Sequence, residues 1–172
     1  MNIRLSPTSL RLFENCPRCF WQLFKTKKHR PKDIFPSLPN GMDRVIKEYF
    51  DRYRAKGVLP PELVGKMPGV LVPDLRLIKK WRHWQHGLTY EDQVKQATLS
   101  GALDDCLVDN GLYLPLDYKT RGYPPKTGDS ELYYGLQLNC YAMLLQANGY
   151  PPADNGFLVY YYPTQVRENG VV

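Results

Sequence analysis

The sequence predicts a single α/β (α+β) domain, residues 1–172, in which helices flank a mixed β-sheet. Apolar residues recur with helical spacing in residues 42–53 and 132–144, whereas residues 88–120 alternate between apolar and polar positions as strands do. A short apolar run, Phe157–Tyr162, then predicts a buried strand. The hydrophobic fraction of 43% is that of a chain with a sizeable core.

The N-terminal part, residues 1–86, is predicted to be mainly helical. Ser6 is a predicted N-cap with Pro7 in the first helical position, and Pro17 divides this region into two pieces, Pro7–Asn15 and Pro17–Lys25. Residues 58–75 are rich in proline and glycine and predict a loop, and a short basic, aromatic helix is predicted within Leu75–Trp84.

A longer helix is predicted after Asn40-Gly41, ending at Gly57 as its C′ residue. Its predicted apolar face comprises Met42, Val45, Ile46, Tyr49, Phe50 and Tyr53. The opposite face carries Asp43, Lys47 and Asp51, at spacing that suits ion pairs.

The remaining part, residues 87–172, is predicted to hold the sheet and one long helix. Asn110-Gly111 between two apolar-rich runs predicts a β-hairpin, because both residues tolerate positive φ. The predicted strands are Leu88–Gln93, Gln96–Val108 and Leu112–Thr120. Ser130 is the predicted N-cap of a helix that reaches about Ala147. Val166–Val172 resembles the start of a further strand, so we expect the chain to be shortened at its C-terminus.

The charge and residue composition of the chain favour some classes of function over others. A formal net charge of +6 and a pI near 9.1 favour an acidic partner, of which nucleic acid is the commonest. We expect neither a signal peptide nor a membrane span, because the N-terminus lacks a cleavage pattern and no apolar run approaches about 18–20 residues. The four cysteines are then expected to be reduced, as in a cytoplasmic protein.

Two carboxylates and a lysine lie around the hairpin. Asp104 and Asp105 are adjacent in the first strand, and Asp117 and Lys119 share one face near the end of the second. Two carboxylates on neighbouring strands could hold a divalent cation and act on a phosphodiester. The alternative is that Asp117 and Lys119 form an exposed ion pair on their strand, and that Asp104 and Asp105 are only the polar end of theirs. Asp105 points away from Asp104 and is a secondary candidate.

Four short motifs occur in order along the chain. They are Ser9–Phe20 (SLRLFENCPRCF), Gly101–Asp104 (GALD), Asp117–Lys119 (DYK) and Gln137–Tyr141 (QLNCY). Together they resemble motifs of the PD-(D/E)XK nuclease superfamily, within it the group related to Cas4 and to the nuclease domain of RecB. The resemblance implies a restriction-endonuclease-like αβββαβ core and a hydrolase that cleaves DNA, exonuclease-like, in repair, recombination or defence.

The resemblance also implies roles for individual residues. Asp104, Asp117 and the backbone carbonyl of Tyr118 would bind Mg²⁺ or Mn²⁺, which prefer oxygen ligands. Lys119 would orient the attacking water or stabilise the transition state. Gln137 and Tyr141 would line the DNA channel from one face of a helix.

The chain departs from that family pattern at two places. Val45 stands where many members carry a metal-binding histidine in a G-x-x-x-H motif beginning at Gly41, so Asp43 or Glu48 is expected to substitute. Cys16 matches one ligand of the iron–sulfur cluster in Cas4-like relatives, but no cysteine follows Cys140, so we expect no such cluster. Cys16-Pro17-Arg18-Cys19 alone is a weak zinc or redox motif, and we expect structural cysteines.

The expected substrate is DNA, as single strands or duplex ends, and a protein complex for repair or CRISPR-type defence could be a further partner. Basic residues predicted to contact phosphates are Lys25, Lys27, Lys28, Arg30, Lys32, Lys79, Lys80, Arg82 and Arg121. A solvated basic loop is the simpler reading of Lys25–Lys32. An alternative function is a catalytically inactive nucleic-acid-binding module, which the valine at position 45 would favour.

Overall fold

A computed structural model describes residues 3–28 and 37–165. The strands are β1 (Ile3–Leu5), β2 (Val70–Leu71), β3 (Leu88–Asp92), β4 (Ala97–Gly101), β5 (Asp105–Asp109), β6 (Leu112–Thr120) and β7 (Phe157–Tyr161). The helices are α1 (Pro7–Asn15), α2 (Pro17–Thr26), α3 (Ser37–Lys56), α4 (Leu75–Trp81) and α5 (Asp129–Ala147). The predicted final strand at Val166–Val172 lies outside the described residues.

The described strands form two mixed sheets. One sheet has the order β1-β4-β3 and the other has the order β2-β5-β6-β7. The β1–β4 and β6–β7 pairs are parallel, and the remaining pairs are antiparallel. The predicted α/β class with helices around mixed β-structure is therefore confirmed, although the strands are divided between two sheets and not joined in one.

The division between the sheets corrects one predicted strand. Gln96–Val108 was expected to be continuous, but the chain leaves the first sheet after Gly101 and enters the second at Asp105. At the crossing, Leu103 is fully buried and its N–H donates to the carbonyl of Trp81. Leu103 packs in a core, so apolar and polar residues keep alternating through the crossing. The sequence pattern therefore does not reveal that the strand ends at Gly101. Asp104 is thereby placed where the two sheets meet.

Local turn and cap chemistry explains the hairpin and the helix ends. Asn110 and Gly111 adopt φ of 48° and 81°, as predicted for the β5–β6 turn. The Ser6 side chain caps α1 as expected. The cap of α5 is Gly128, at φ 84°, and not Ser130, whose Oγ instead hydrogen-bonds the hydroxyl of Tyr160 at 2.9 Å.

Helix α3 begins earlier than predicted. It includes Pro39, Asn40 and Gly41, which were expected to precede it. Ile46 and Phe50 are buried against the second sheet, whereas Val45 is 51% exposed, so the predicted apolar face was too wide. Because α3 packs on β6 through this face, the residues at its N-terminal half approach the end of that strand.

Two apolar cores support the sheets. One packs α4 and α5 against the first sheet, with Trp81, Leu103 and Leu144 among its buried residues. The other packs α3 against the second sheet around Phe50 and Leu116. Among the described residues, no helix is both long enough and apolar enough to cross a bilayer.

Candidate functional site

The site lies near the end of β6, where this strand has passed its β5 partner but still pairs with β7. The β5–β6 ladder reaches the Asp105–Leu116 pair, and the β6–β7 ladder continues through Asp117 and Lys119. Asp117 is 1% exposed and Lys119 is partly buried. Both side chains are therefore carried by a strand that is held by backbone hydrogen bonds, which gives the site a rigid base.

Asp104 joins Asp117 from the crossing segment between the sheets. The backbone N–H of Tyr118 donates to Asp104 Oδ2 at 3.4 Å. The carboxylate of Asp104 also lies close enough to Asp117 to perturb its protonation. Asp104 and Asp117, which we expected to lie side by side, are thus neighbours in the fold.

Asp117 has an unusual electrostatic environment. Burial, followed by the negative charge of Asp104, raises its pKa to about 7, and the positive charge of Lys119 opposes that shift. Its Oδ2 atom lies 2.5 Å from Lys119 Nζ, so the ammonium of Lys119 is its ion-pair partner. A cation that binds Asp117 through this oxygen would therefore have to share it with Lys119.

Gln137 ties helix α5 to the strand residues. Its Nε2 donates to Asp117 Oδ1 at 3.1 Å, and its Oε1 accepts from Lys119 Nζ at 3.1 Å. Its Nε2 also lies 2.8 Å from the Tyr141 hydroxyl, which donates to the carbonyl of Ala102 at 2.9 Å. These hydrogen bonds bring four residues of the predicted site into one network, because Gln137 and Tyr141 are i, i+4 on one face of α5.

Lys47 is the site residue that sequence reasoning missed. Its ammonium lies 2.8 Å from Asp104 Oδ1 and 2.8 Å from Asp43 Oδ2. Burial lowers its pKa, but Asp104 and Asp43 outweigh that effect and the net shift is upward. The i, i+4 spacing of Asp43 and Lys47 indicated an ion pair, but nothing local indicated that Asp104, distant in sequence, completes it.

The two suggested substitutes for the absent histidine are placed differently. Asp43 approaches Asp104 through the Lys47 ammonium, so it lies at the site as an ion-pair partner. Glu48 pairs with Arg44 at 3.6 Å on the exposed side of α3, where its side chain is 58% exposed. Of the two, Asp43 is therefore the better candidate ligand, because Glu48 is exposed and paired with Arg44.

Asp105 belongs to a separate, buried ion network. Its carboxylate is fully buried and accepts from Arg54 Nη2 at 2.5 and 2.6 Å. Arg82 Nη2 donates at 3.0 Å and the Tyr118 hydroxyl at 2.6 Å. The adjacent aspartates 104 and 105 therefore face different surroundings, one at the site and the other inside the fold.

That network also corrects the expectation for Arg82. Its side chain is 11% exposed, and its guanidinium is shared among Asp51, Asp105 and the carbonyl of Asp104. A phosphate that binds Arg82 would have to displace these partners, which makes it the weakest of the predicted DNA contacts. Arg121 pairs with Asp129 at 3.2 Å and lies over the ring of Tyr123.

The other predicted phosphate contacts divide into two groups. Lys25, Lys27 and Lys28 are exposed at the end of α2, and Lys79 and Lys80 are exposed on α4. Arg30 and Lys32 lie outside the described residues. Exposed lysines suit sequence-independent contact with phosphates.

The donor set at the site fits a hard divalent cation. Asp104 and Asp117 offer carboxylate oxygens on adjoining segments, and the raised pKa of Asp117 shows that the Lys119 ammonium does not fully offset burial and the charge of Asp104. Across residues 3–28 and 37–165, no three His, Cys, Asp or Glu side chains converge as a metal-binding group. A cation at these two carboxylates would need further oxygen ligands, and the family resemblance suggests the Tyr118 carbonyl as one of them.

The cysteines occupy two kinds of place. Cys16 and Cys19 lie together at the start of α2, with their sulfur atoms 2.6 Å apart, and Cys16 Sγ accepts from the Cys19 N–H. Cys106 and Cys140 are buried in the first core. The predicted lack of an iron–sulfur cluster stays a prediction.

One comparison with known proteins gave a match. The family model described as the PD-(D/E)XK nuclease superfamily matches residues 22–172. No significant match was found among curated proteins or among solved structures. The matched range includes Asp104, Asp117, Lys119 and Gln137, and the mixed α/β architecture is consistent with a restriction-endonuclease-like fold.

Proposed function

Because this chain belongs to the PD-(D/E)XK nuclease superfamily, we propose that it is a Mg²⁺- or Mn²⁺-dependent deoxyribonuclease that hydrolyses DNA phosphodiester bonds. The superfamily implies a nucleic-acid substrate. The finer assignment, to an exonuclease-like enzyme of the group related to Cas4 and RecB, rests on the four motifs at residues 9–20, 101–104, 117–119 and 137–141.

The observation that carries the proposal is the meeting of two carboxylates, one lysine and one glutamine at the end of β6. Asp117 is buried at a site where its charge is opposed by burial and by Asp104. A fold gains nothing in stability from placing two carboxylates so close in a poorly solvated position. A bound cation would remove that cost, which supports a metal centre at Asp104 and Asp117.

A divalent cation bound there supplies an activated water and neutralises charge on the phosphate. Lys119 is held by Asp117 and Gln137, so its ammonium is fixed before the substrate arrives. In this position it would stabilise the extra negative charge that develops on the phosphate. Gln137 and Tyr141 would keep Lys119 and Asp117 in register with the crossing segment at Ala102.

The exposed lysines would contribute the general attraction for DNA. Lys27, Lys28, Lys79 and Lys80 have no predicted base specificity and would bind backbone phosphates, so affinity should fall as salt rises. The same proposal includes a role in DNA repair or defence, in which the protein would act with partner proteins of a repair or CRISPR-type complex. It also includes a cytoplasmic location.

The direct test is cleavage of end-labelled DNA, single-stranded and duplex, with Mg²⁺, Mn²⁺ or EDTA. We expect products with either metal and none with EDTA. Asp117→Asn keeps the size of the side chain but removes the charge that would bind the cation, so we expect it to abolish cleavage. If the wild type does not cleave in either metal, or the variant cleaves normally, the proposal is wrong.

The second candidate function is an inactive nucleic-acid-binding module. Two observations favour it: Val45 replaces the family histidine, and Lys47 occupies the carboxylates of Asp43 and Asp104. DNA binding that persists in EDTA, with no cleavage in Mn²⁺ or Mg²⁺, would select this alternative.

A further inference from the structure

A groove between α1 and α5 includes two of the proposed catalytic residues in its lining, Lys119 and Gln137. Its volume is about 460 Å³, and its walls also include Arg11 of α1 and Tyr133 and Tyr134 of α5. The groove is therefore continuous with the proposed site but is built largely from residues that the proposed chemistry does not use.

The two tyrosines of the groove differ in what they contact. Lys119 Nζ lies 4.5 Å from the centroid of the Tyr134 ring, so Tyr134 supports the lysine through a cation–π contact. Tyr133 is 50% exposed, and Arg11 Cζ lies 6.0 Å from the centroid of its ring. Tyr133 consequently presents an aromatic surface in the groove that the packing of the described residues does not bury.

The groove is also complementary to a phosphate chain. Among its described lining residues, Arg11 and Lys119 are basic and none is acidic. Arg11 is paired with Glu14 at 2.9 Å and Lys119 with Asp117 at 2.5 Å, but neither carboxylate is one of the lining residues. Basic groups beside an exposed aromatic ring are the pattern by which proteins bind single strands without base specificity.

We propose that this groove binds the unpaired bases of single-stranded nucleic acid next to the bond to be cleaved, by stacking on Tyr133. The inference rests on the proposed function, because it places these bases beside Lys119. A base inside a duplex has both faces covered by its neighbours and cannot offer one to Tyr133. The volume of the groove is in the range of small-ligand pockets, which suits one or a few unpaired nucleotides.

The test is binding without metal, which separates it from cleavage. In EDTA, fluorescence anisotropy measures the affinity for three probes: a labelled oligo(dT), an abasic oligonucleotide of equal length and a blunt duplex. The variants are Tyr133→Ala and Tyr133→Phe. Trp21→Ala is the matched control, because Trp21 is also an exposed aromatic, on α2, but does not line the groove.

We expect Tyr133→Ala to weaken oligo(dT) binding by roughly 5- to 150-fold, the range for loss of one base–aromatic stack. Its affinity for the abasic probe should be unchanged, because the phosphates are still contacted. Tyr133→Phe and Trp21→Ala should bind oligo(dT) as the wild type does.

The inference is wrong if Tyr133→Ala weakens binding of the abasic probe as much as binding of oligo(dT), or if Trp21→Ala weakens oligo(dT) binding to a similar extent. It is also wrong if the wild type does not bind oligo(dT). It is wrong as well if the duplex binds as tightly as oligo(dT) and Tyr133→Ala weakens both equally. None of these results decides the proposed function, which stands or falls on metal-dependent cleavage.

Discussion

Replacing either of the adjacent aspartates, Asp104 or Asp105, by asparagine should affect a different property of the protein. Asp105→Asn removes the charge that compensates Arg54, whose side chain is only 1% exposed. Asp104→Asn removes a carboxylate at the site whose side chain is 21% exposed and whose partner, Lys47, can still pair with Asp43. We therefore expect the first variant to lose stability and the second to lose activity.

The magnitudes follow from burial. Removing one partner of a buried ion pair typically costs about 3–5 kcal/mol, because the remaining charge stays desolvated. For a chain of this length that corresponds to a fall in Tm of roughly 6–20 °C. Asp104→Asn should cost no more than about 1 kcal/mol, since partly exposed pairs contribute little.

The assay is urea unfolding in EDTA at neutral pH, followed by cleavage with Mn²⁺. In the double variant Arg54→Met/Asp105→Asn, no buried charge is left without its partner, so it should recover much of the stability lost in Asp105→Asn. If Asp105→Asn loses less than about 1 kcal/mol, or Asp104→Asn loses as much as Asp105→Asn, the separation into a structural and a functional aspartate is wrong.

Three further predictions concern the site. Lys47→Met should tighten Mn²⁺ binding by about 5-fold in calorimetry, since Asp104 loses a competing cation worth about 1 kcal/mol; unchanged or weaker binding would contradict this. The pKa of Asp117 is raised to about 7 in the metal-free fold, whereas the unfolded chain loses this proton above the ordinary pKa of 3.8. The free energy of unfolding in EDTA should therefore fall by up to about 4 kcal/mol between about pH 4 and 7 in the wild type, and this fall should be absent in Asp117→Asn. If the free energy of unfolding of the two proteins changes with pH in parallel, the prediction is wrong. Gln137→Leu should slow cleavage by roughly 10- to 100-fold with its fold retained, because Lys119 and Asp117 lose a shared hydrogen-bond partner; a normal rate would show that Gln137 does not position them.

Features set by local chemistry could be predicted from the sequence. The β5–β6 hairpin follows from Asn110-Gly111, and the end of α5 follows from Asn148-Gly149, because each depends on backbone conformations available to those residue types. The pairing of Gln137 with Tyr141 follows from helical spacing. These features need no knowledge of distant contacts.

Features set by contacts between distant segments could not be predicted. Strand β1 exists because it pairs with β4, whose residues are far along the chain. The burial of Asp105 depends on Arg54 and Arg82, which come from two different helical regions. The sequence indicates that Asp104 and Asp105 point to opposite faces, but it does not reveal that Asp105 is buried between Arg54 and Arg82.

The proposed site combines residues that the sequence brings together with one from α3 that it does not. β-Strand alternation places Asp117 and Lys119 on one face, whereas Asp104 lies outside both sheets and was suggested by its motif. Lys47 could not be predicted, since its link to Asp104 depends on how α3 packs against β6. The helical spacing of Asp43 and Lys47 accounts for only half of that arrangement.

The central claim is that Asp104, Asp117 and Lys119 form a metal-dependent catalytic centre. The most direct measurement is single-turnover cleavage of end-labelled DNA in Mn²⁺ by wild type and Lys119→Met, with Mn²⁺ binding measured in the same samples. We predict that the variant still binds Mn²⁺ but cleaves about 10²- to 10³-fold more slowly, the usual cost of losing a group that stabilises transition-state charge. Undiminished cleavage by Lys119→Met, or the absence of Mn²⁺-dependent cleavage by the wild type, would contradict the claim.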